Sequence, residues 1–336
     1  MHSAIRWAER GLVPDSLIRL GIRRLLAERL AREQAQDLGK FIAELQASPV
    51  ALHTAEANDQ HYELPPQFFQ QVLGRHLKYS SCWYEEGAAT LDEAEAAMLA
   101  LSCRRAGLED GQAVLELGCG WGSLTLWMAR HYPRSTITAL SNSRPQREFI
   151  EARCREAGLG NVQVLTADFN HFAAEGRFDR VVSVEMFEHL RNWGTALERV
   201  AGWLAPEGRV FIHVFCHRER AYLFGSEGPR DWMGRYFFTG GLMPAEKLLH
   251  HFDQHLEVEE HWPVNGRNYA RTADHWLANL DARKAAILPV LEGRYGVGEA
   301  RLWLQRWRMF FMACSELFGY GEGAQWKVAH YRLRPR

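Results

Sequence analysis

The sequence predicts an α/β protein with a Rossmann-like parallel sheet, and two observations support that prediction. The first is Val114-Leu-Glu-Leu-Gly-Cys-Gly-Trp-Gly122, an apolar run followed by glycines at alternate positions and then by a helical segment. The second is the regular alternation of strand-like and helix-like segments downstream of it. A buried strand that turns sharply into a helix, followed by further βα units, is typical of doubly wound sheets.

The periodicity of apolar residues places the individual elements. A helix over 91–106 precedes the glycine loop, and the segments after it are helix 123–130, strand 136–140, helix 145–157, strands 162–166 and 180–184, helix 195–204 and strand 209–215. Farther on, the patterns predict a strand over 256–262, helices over 273–295 and 299–317, and a final strand over 326–333. The ligand should bind where the parallel strands end.

The glycine loop favours S-adenosylmethionine (SAM) over a dinucleotide. Gly118, Gly120 and Gly122 permit backbone conformations that a Cβ forbids and let a ligand approach closely. A dinucleotide fingerprint has its third glycine one position later and an acidic residue about twenty positions on. In this chain the second strand ends in Ser141-Asn142-Ser143 without an acid. On this stretch alone, an ordinary strand-to-helix turn stays open as the alternative.

Composition excludes several classes of protein. The 336 residues include 47% hydrophobic ones, enough for a substantial core, and the formal net charge of −1 argues against a general nucleic-acid binder. The six cysteines lie far apart without metal-ligand spacing, which predicts free thiols in a reducing compartment. We find no membrane-spanning apolar run and no signal-peptide pattern, so the sequence predicts a cytoplasmic protein.

Residues 1–57 are predicted to form an N-terminal helical extension to a main domain of residues 58–336. Pro14-Asp15 is a helix start signal, and a weaker helix is expected near 37–45. The apolar positions on one face are Ile18, Ile22, Leu25, Leu26 and Leu30, and the arginines around them are Arg19, Arg23, Arg24, Arg29 and Arg32. Such a helix could contact an anionic membrane or a partner, but we favour packing on the main domain.

The βα alternation stops over residues 216–244, which are rich in aromatic side chains and contain Gly240-Gly241. We interpret this segment as a lid insertion over an apolar substrate, with a hydrophobic plug as the alternative. Trp232, Tyr236 and Phe238 offer rings that could stack on a substrate ring or face a cation. His251 and His255 lie four residues apart, but no third ligand accompanies them, so no metal site is predicted.

Several motifs together resemble the cyclopropane-fatty-acid-synthase-like SAM-dependent methyltransferases. They are the glycine loop, Leu77-Lys-Tyr-Ser-Ser-Cys82, Ser141-Asn-Ser-Arg-Pro-Gln146, Val184-Glu-Met-Phe-Glu-His189 and the segment 235–244. The segments 268–276 and 318–330 are similar to the branch that contains coclaurine N-methyltransferase, whose members methylate benzylisoquinoline amines. The resemblance covers about residues 10–333 and implies a class I SAM methyltransferase fold, with seven strands of which the last is antiparallel.

The resemblance also implies roles for individual residues. The implied SAM contacts are Tyr79, Ser80, the three glycines, Ser141, Asn142, Gln146, Asp168 and Phe169. The resemblance places Glu185, Glu188 and His189 at the reacting centre. If the chain turns helically after the fourth strand, these three side chains share one face. His189, oriented by Glu188, is then the candidate base and Glu185 holds a cationic amine, although Glu188 itself could accept the proton.

Two other functions remain as alternatives to methylation of a small aromatic amine. The first is methylation of an unsaturated lipid acyl chain, similar to the reaction of the cyclopropane-fatty-acyl-phospholipid synthases. That lipid-modifying branch of the family uses a Cys, a Glu, a His and a Tyr to hold bicarbonate, and Glu188, His213 and Tyr269 match three of those positions. Ser81 stands at the cysteine position and the cysteine is displaced to Cys82. His213 and Tyr269 are accordingly expected to face the substrate. The other alternative, a SAM-binding protein without catalysis, is disfavoured by the intact acidic and imidazole set. A homodimer is possible.

Overall fold

The computed structural model describes residues 2–32, 38–52, 64–228 and 231–336. Its strands are β1 (Ala113–Leu117), β2 (Thr136–Ser141), β3 (Val162–Thr166), β4 (Phe178–Val184), β5 (Leu204–His217), β6 (Tyr222–Leu223), β7 (Leu242–Met243), β8 (Leu256–Val264) and β9 (Trp326–Pro335). Seven of them form one sheet in the order β3-β2-β1-β4-β5-β9-β8. The first five pair in parallel, and β9 is antiparallel to both of its neighbours. The predicted seven-stranded sheet is confirmed.

The helices flank this sheet or cover one end of it. They are α1 (His2–Glu9), α2 (Asp15–Arg32), α3 (Leu38–Gln46), α4 (Pro66–Val72), α5 (Leu91–Ala106), α6 (Ser123–His131), α7 (Arg144–Ala157), α8 (Trp193–Trp203), α9 (Trp232–Tyr236), α10 (Arg267–Ala282), α11 (Lys284–Tyr295) and α12 (Val297–Gly319). Short 3-10 turns occupy Phe187–His189 and Leu248–His251. Most predicted elements are found within a few residues of their expected ends.

One predicted helix is wrong in its continuity, because the segment 273–295 is divided between α10 and α11. The chain turns at Arg283, which has a φ of −113°, and the guanidinium of Arg283 donates a hydrogen bond to the carbonyl of Gln71. The turn lets α11 pack against both α12 and α4. Apolar periodicity could not reveal it, since both helices bury residues such as Leu280 and Ile287 in the same core.

Alternate residues of the central strands pack into different layers of the core. Val114 of β1 packs with α5 and α6 side chains such as Leu99 and Leu124, whereas Leu115 packs on the opposite face with Leu197 of α8. A parallel strand buried on both faces needs such a continuous apolar run, since neither face meets water. The polar residues that follow each strand are thereby concentrated at one open edge of the sheet.

The N-terminal extension packs on α12, as expected from the apolar face of α2. Arg19 donates hydrogen bonds to Glu316 at 3.0 Å and to Asp274 at 2.8 Å, and Ile18 and Leu26 are buried. Arg308 of α12 pairs with Asp15 at 2.6 Å. The predicted boundary at 57/58 lies outside the described residues, as does the expected start of the third helix at position 37. Over the part of the chain that is described, no helix combines the length and apolarity needed to cross a membrane.

The lid segment is tied to the extension by a buried acid. Strands β6 and β7 pair across the ends of the segment, and α9 lies between them. The carboxylate of Glu9 accepts hydrogen bonds at 3.0 Å from both Trp232 Nε1 of α9 and Arg306 Nε of α12. Three parts of the chain therefore meet at one oxygen atom that is nearly excluded from water.

Replacing Glu9 with alanine should lower the free energy of unfolding by about 2 kcal/mol, because the partly buried indole of Trp232 and guanidinium of Arg306 lose their shared acceptor. Chemical denaturation followed by tryptophan fluorescence measures the change. Glu148→Ala is the matched control, since Glu148 pairs with Arg144 on an exposed helix surface and its loss should have little effect. Equal, small effects of the two substitutions would contradict this role of Glu9.

Candidate active site

The glycine loop after β1 has three residues with positive φ, and only one of them opens onto the cleft without any steric neighbour. The φ values of Gly118, Gly120 and Gly122 are 77°, 52° and 80°. A Cβ at Gly118 would lie 2.7 Å from Met186 Cγ, and one at Gly122 would lie 2.7 Å from Ile150 Cγ1. A Cβ at Gly120 would meet nothing within 4 Å. Gly122 therefore serves helix packing, whereas Gly120 leaves space for a ligand.

One side of the cleft collects the polar residues that follow β2 and β3. Gly118, Gly120, Ser141, Asn142, Gln146, Asp168 and Phe169 all line it, so the structure brings these predicted cofactor residues together. The Ser141 hydroxyl donates to Gln146 Oε1 at 2.7 Å. The Gln146 Nε2 atom is buried and has no partner among the described residues. That amide donor is available to an oxygen of a bound ligand, such as a ribose hydroxyl of SAM.

The other side of the glycine loop faces Tyr79 and Ser80. These residues line a second pocket with Glu116 of β1. Burial raises the pKa of Glu116 to about 8, and a cationic ligand group such as the ammonium of SAM would favour its ionised form. Ala51 and Leu52 line the cleft beside Asp168, and neither these two residues nor Glu116 was predicted as a site residue. No local pattern marks Ala51 and Leu52.

Glu185 lies at the centre of the site. It follows β4 with a φ of 48°, in the left-handed region that non-glycine residues seldom adopt. Its Oε1 atom accepts a hydrogen bond from the Ser81 N–H at 2.9 Å and lies 3.2 Å from His213 Nε2, and its Oε2 atom accepts a hydrogen bond from the Tyr269 hydroxyl at 2.6 Å. The same carboxylate borders both cofactor pockets and an adjacent aromatic pocket.

The buried environment sets the charge of the central groups. Burial raises the pKa of Glu185 above its ordinary value, while the Lys78 ammonium, the Tyr269 hydroxyl and the Ser81 N–H oppose that rise. Lys78 was not predicted as a site residue; it is buried beneath the loop and donates to Ser80 Oγ and, at 2.7 Å, to the Ser81 carbonyl. Burial lowers the pKa of His189 to about 4. Its imidazole is therefore neutral at pH 7. The lowered pKa also makes it a weak base, and the neighbouring Glu185 carboxylate acts in the opposite direction.

Glu188 does not orient His189, so this part of the sequence interpretation is wrong. Its Oε1 atom accepts a hydrogen bond from the Phe215 N–H at 2.7 Å, and its Oε2 atom has no partner among the described residues. Strand β4 ends at Val184, so Glu188 supplies the acceptor that Phe215 on β5 would otherwise lack. Burial and the neighbouring Glu185 raise the pKa of Glu188 well above its ordinary value. Only Glu185 and His189 of the predicted trio line the cleft.

An aromatic pocket adjoins Glu185 and His189 on the side away from the glycine loop. Its other lining residues are Tyr79, Phe215, Phe224, Met233, Phe238, Met243, Tyr269, Trp276, Phe310, Cys314, Leu317 and Phe318. The predicted residues Phe238 and Tyr269 are among them, with the Phe238 and His189 ring centroids 4.9 Å apart. His213 does not line this pocket, contrary to the prediction that it faces the substrate: it is fully buried and contacts the Glu185 carboxylate.

Trp232 and Tyr236 do not line this pocket, which corrects the prediction for these two lid residues. The Trp232 indole is directed to Glu9, and the Tyr236 ring lies under the Arg306 guanidinium at 4.1 Å. Both rings hold the lid to the helices outside it. The pocket residues from α12, such as Phe310 and Cys314, were missed because their helical spacing is the same as that of ordinary core positions.

Comparison with known proteins places the chain in a family. The sequence matches mycolic acid cyclopropane synthetase over residues 51–327. The chain belongs to this family. It is 37% identical to (S)-coclaurine N-methyltransferase of Thalictrum flavum subsp. glaucum, covering 98% of this chain and 94% of that protein. It is 29% identical to cyclopropane-fatty-acyl-phospholipid synthase of Escherichia coli (strain K12), covering 81% and 67% respectively.

The fold is similar to the crystal structure of coclaurine N-methyltransferase bound to N-methylheliamine and SAH. That structure has a TM-score of 0.95, is 34% identical in sequence, and is matched over 99% of both chains. The protein is therefore a SAM-dependent methyltransferase with a small-molecule substrate. Within the described ranges no group of His, Cys, Asp or Glu side chains is arranged to hold a metal ion.

Gly120→Ala should weaken SAM affinity by at least about tenfold, because the new methyl group would enter the space that a ligand needs. Isothermal titration calorimetry measures the affinity. Gly158→Ala is the control, since Gly158 also has a positive φ of 65° and open space around it but ends α7 on an exposed surface. The two variants carry similar backbone strain, so equal SAM affinities would show that Gly120 does not border the cofactor.

Proposed function

We propose that the enzyme transfers the methyl group of SAM to the nitrogen of a small aromatic, benzylisoquinoline-like amine. The observation that carries this proposal is the position of Glu185. Its carboxylate is held between Ser81, His213 and Tyr269 and borders both the cofactor cleft and the aromatic pocket. A carboxylate fixed at that junction suits a substrate that arrives as a cation.

An aliphatic amine needs both an anion and a base to react at neutral pH. With a pKa near 10, only about one amine molecule in a thousand is neutral at pH 7, which adds roughly 4 kcal/mol to the barrier. A positioned base removes much of that cost. Glu185 binds the ammonium form, and its negative charge favours the imidazolium of His189. With that support the neutral imidazole of His189 accepts the proton as the nitrogen lone pair becomes available. SAM, when bound, supplies an electrophilic methyl group on a sulfonium.

The shape of the aromatic pocket supports a ring-bearing substrate. The Tyr269 and Phe318 rings are stacked with centroids 4.2 Å apart, and Phe238 packs against Phe215 at 5.5 Å and Phe224 at 4.9 Å. These faces can stack on a flat substrate ring and stabilise a cation through the ring quadrupoles. A coclaurine-type amine combines both features, and the similarity to enzymes named for such substrates supports this choice.

The same geometry argues against cyclopropane formation on a lipid. The resemblance implies that the lipid-modifying branch uses the residues at positions 213 and 269 to hold bicarbonate. In this chain the side chains of His213 and Tyr269 are instead hydrogen-bonded to the Glu185 carboxylate. The carboxylate bonded to them is Glu185 and not Glu188, the residue that the family resemblance matches to that site. Cys82 offers no substitute, since its thiol is fully buried and contacts the Ser80 carbonyl at 3.6 Å.

Two further predictions about partners stay predictions. A homodimer would be detected by light scattering of the purified protein. Contact between α2 and an anionic membrane would be detected by vesicle flotation. The pairing of Arg19 and Arg23 with Glu316 inside the chain supports packing rather than lipid contact for that part of the helix.

Glu185→Gln should lower kcat for a benzylisoquinoline amine by about a hundredfold, because it removes the negative charge that holds the ammonium group and favours a protonated His189. Glu188→Gln is the matched control and should lower kcat by less than about tenfold, because an amide oxygen can still accept the Phe215 N–H and burial already disfavours the charged form of Glu188. Steady-state kinetics with SAM at saturation test both. A larger loss for Glu188→Gln than for Glu185→Gln would contradict the roles proposed for these two acids.

The loss caused by His189→Ala should decrease as pH rises toward the pKa of the amine, because the free neutral amine then needs no base. In the unmodified enzyme His189 stays neutral above about pH 4, so the acidic limb of kcat/KM should report Glu185. That limb should lie above the usual carboxylate range, since burial raises the Glu185 pKa. A loss of equal size at pH 7 and pH 10 would exclude His189 as the base.

Phe238→Ala should raise the Michaelis constant for the aromatic amine about tenfold or more and change kcat little, because it removes stacking area without touching Glu185. Tyr236→Ala, two residues away and outside the pocket, is the control and should change the Michaelis constant less than Phe238→Ala does, because Tyr236 contacts Arg306 and does not line the pocket. The same enzyme should show no methyl transfer to unsaturated phospholipid vesicles. Lipid turnover without amine turnover would replace the proposed substrate class with an acyl chain.

A further inference from the structure

A line of hydrogen-bonded side chains runs from Glu185 to a partly exposed guanidinium. His213 Nε2 lies 3.2 Å from Glu185 Oε1, and His213 Nδ1 lies 2.9 Å from His330 Nε2. His330 Nδ1 in turn lies 2.8 Å from Arg105 Nη1. The line crosses the sheet from the active site to the last turn of α5. Neither the cofactor cleft nor the aromatic pocket explains its function.

The guanidinium of Arg105 decides which atom donates and which atom accepts in every hydrogen bond of this line. A guanidinium can only donate, so His330 Nδ1 must carry a lone pair. A neutral His330 then bears its proton on Nε2 and donates to His213 Nδ1. His213 must in turn bear its proton on Nε2, which is the atom that faces Glu185. Any other placement of protons would set two donors or two lone pairs against each other.

The environment keeps both imidazoles neutral, as this reasoning requires. His213 and His330 are fully buried, and burial lowers the pKa of each well below its ordinary value, with Arg105 acting in the same direction. Burial lowers the pKa of Arg105 only to about 10, so the guanidinium remains charged at pH 7. It lies between the rings of Trp83 and Trp262, at 5.8 Å and 5.1 Å from their centroids.

We propose that Arg105 is a positioning residue for methyl transfer, which fixes the tautomers of His330 and His213 and thereby aims an N–H donor at the Glu185 carboxylate. The inference rests on the proposed function in one respect, namely that Glu185 acts as an anion. Because each imidazole already presents a proton toward Glu185, the line cannot carry a proton away from the carboxylate. A proton released by the substrate must therefore leave on the pocket side, where His189 lies.

The groups that face Glu185 determine how the acidic limb of kcat/KM responds to the loss of Arg105. Glu185 is faced by Lys78 and Ser81 of the loop before α5, His189 and Glu188 of the 3-10 turn, His213 of β5 and Tyr269 of α10. Only the His213 contact depends on the line through His330. Loss of Arg105 should therefore remove the directional preference of one donor out of three and leave the others in place.

The first test reads the tautomers directly on the SAM-bound protein without any amine. In two-bond 1H–15N correlation spectra of 15N-histidine-labelled enzyme, His213 and His330 should both show protonated Nε2 and unprotonated Nδ1. The signals are assigned by their loss in His213→Gln and His330→Gln variants. An Nδ1-protonated form of either residue in the unmodified enzyme would overturn the proposal.

The second test changes the donor at the end of the line. Arg105→Met should give mixed tautomers, lower kcat about tenfold and move the acidic limb of kcat/KM to higher pH, with SAM affinity unchanged. Arg105→Lys keeps a cationic donor and should restore the tautomers and most of the rate. Arg104→Met is the control, because Arg104 is the exposed neighbour on α5 that pairs with Glu86. Unchanged tautomers in Arg105→Met would also overturn the proposal.

Failure of the proposed function would look different. If no amine is methylated but both histidines show the expected tautomers and lose them in Arg105→Met, the positioning role stands and the substrate class is wrong. If amines are methylated and Arg105→Met changes neither the spectra nor the pH profile, the positioning role is wrong and the proposed function stands.

Discussion

The site depends on the carboxyl group of Glu185 being held inside the protein by hydrogen bonds from fixed groups. An unpaired charge in such a place would cost many kcal/mol, and hydrogen bonds from fixed donors are what make it tolerable. The three donors come from distant parts of the chain: the loop at Ser81, the strand at His213 and the helix at Tyr269. The loop, the sheet and the helical cover must therefore all be in place before the site exists.

The left-handed backbone at Glu185 gives two nearby acids different functions. A residue other than glycine at a φ of 48° carries a strain of about 1 kcal/mol, and the turn directs Glu185 into the cleft. The following 3-10 turn directs Glu188 to the backbone of β5, where it accepts the Phe215 N–H. One acid completes the sheet after β4 ends, and the other lines both the cleft and the aromatic pocket. The strained backbone therefore lies at the junction of these two spaces.

Local patterns were enough to predict the sheet and the cofactor cleft. The glycine loop, the strand ends at Ser141 and Asp168, and the buried strands each have a signal in the order of residues, and the structure gathers them in one cleft. The aromatic pocket could be predicted only in part. Several of its wall residues come from α10 and α12, which lie between β8 and β9 in the chain. Whether a ring such as Trp232 or Phe238 faces the pocket depends on contacts like that with Glu9, more than two hundred residues away.

The antiparallel last strand, β9, takes part in the active site because it carries His330, which belongs to the line between Glu185 and Arg105. The register of β9 pairs His330 with His213 on one side and with Trp262 on the other. Because β9 lies between β5 and β8, it delivers one imidazole to the back of the active site and sets an aromatic ring where Arg105 packs. No spacing in the sequence joins residues 105, 213 and 330, since their proximity is a property of sheet order. Strand β9 therefore completes the sheet and, through His330, also determines which nitrogen of His213 carries the proton that faces the Glu185 carboxylate.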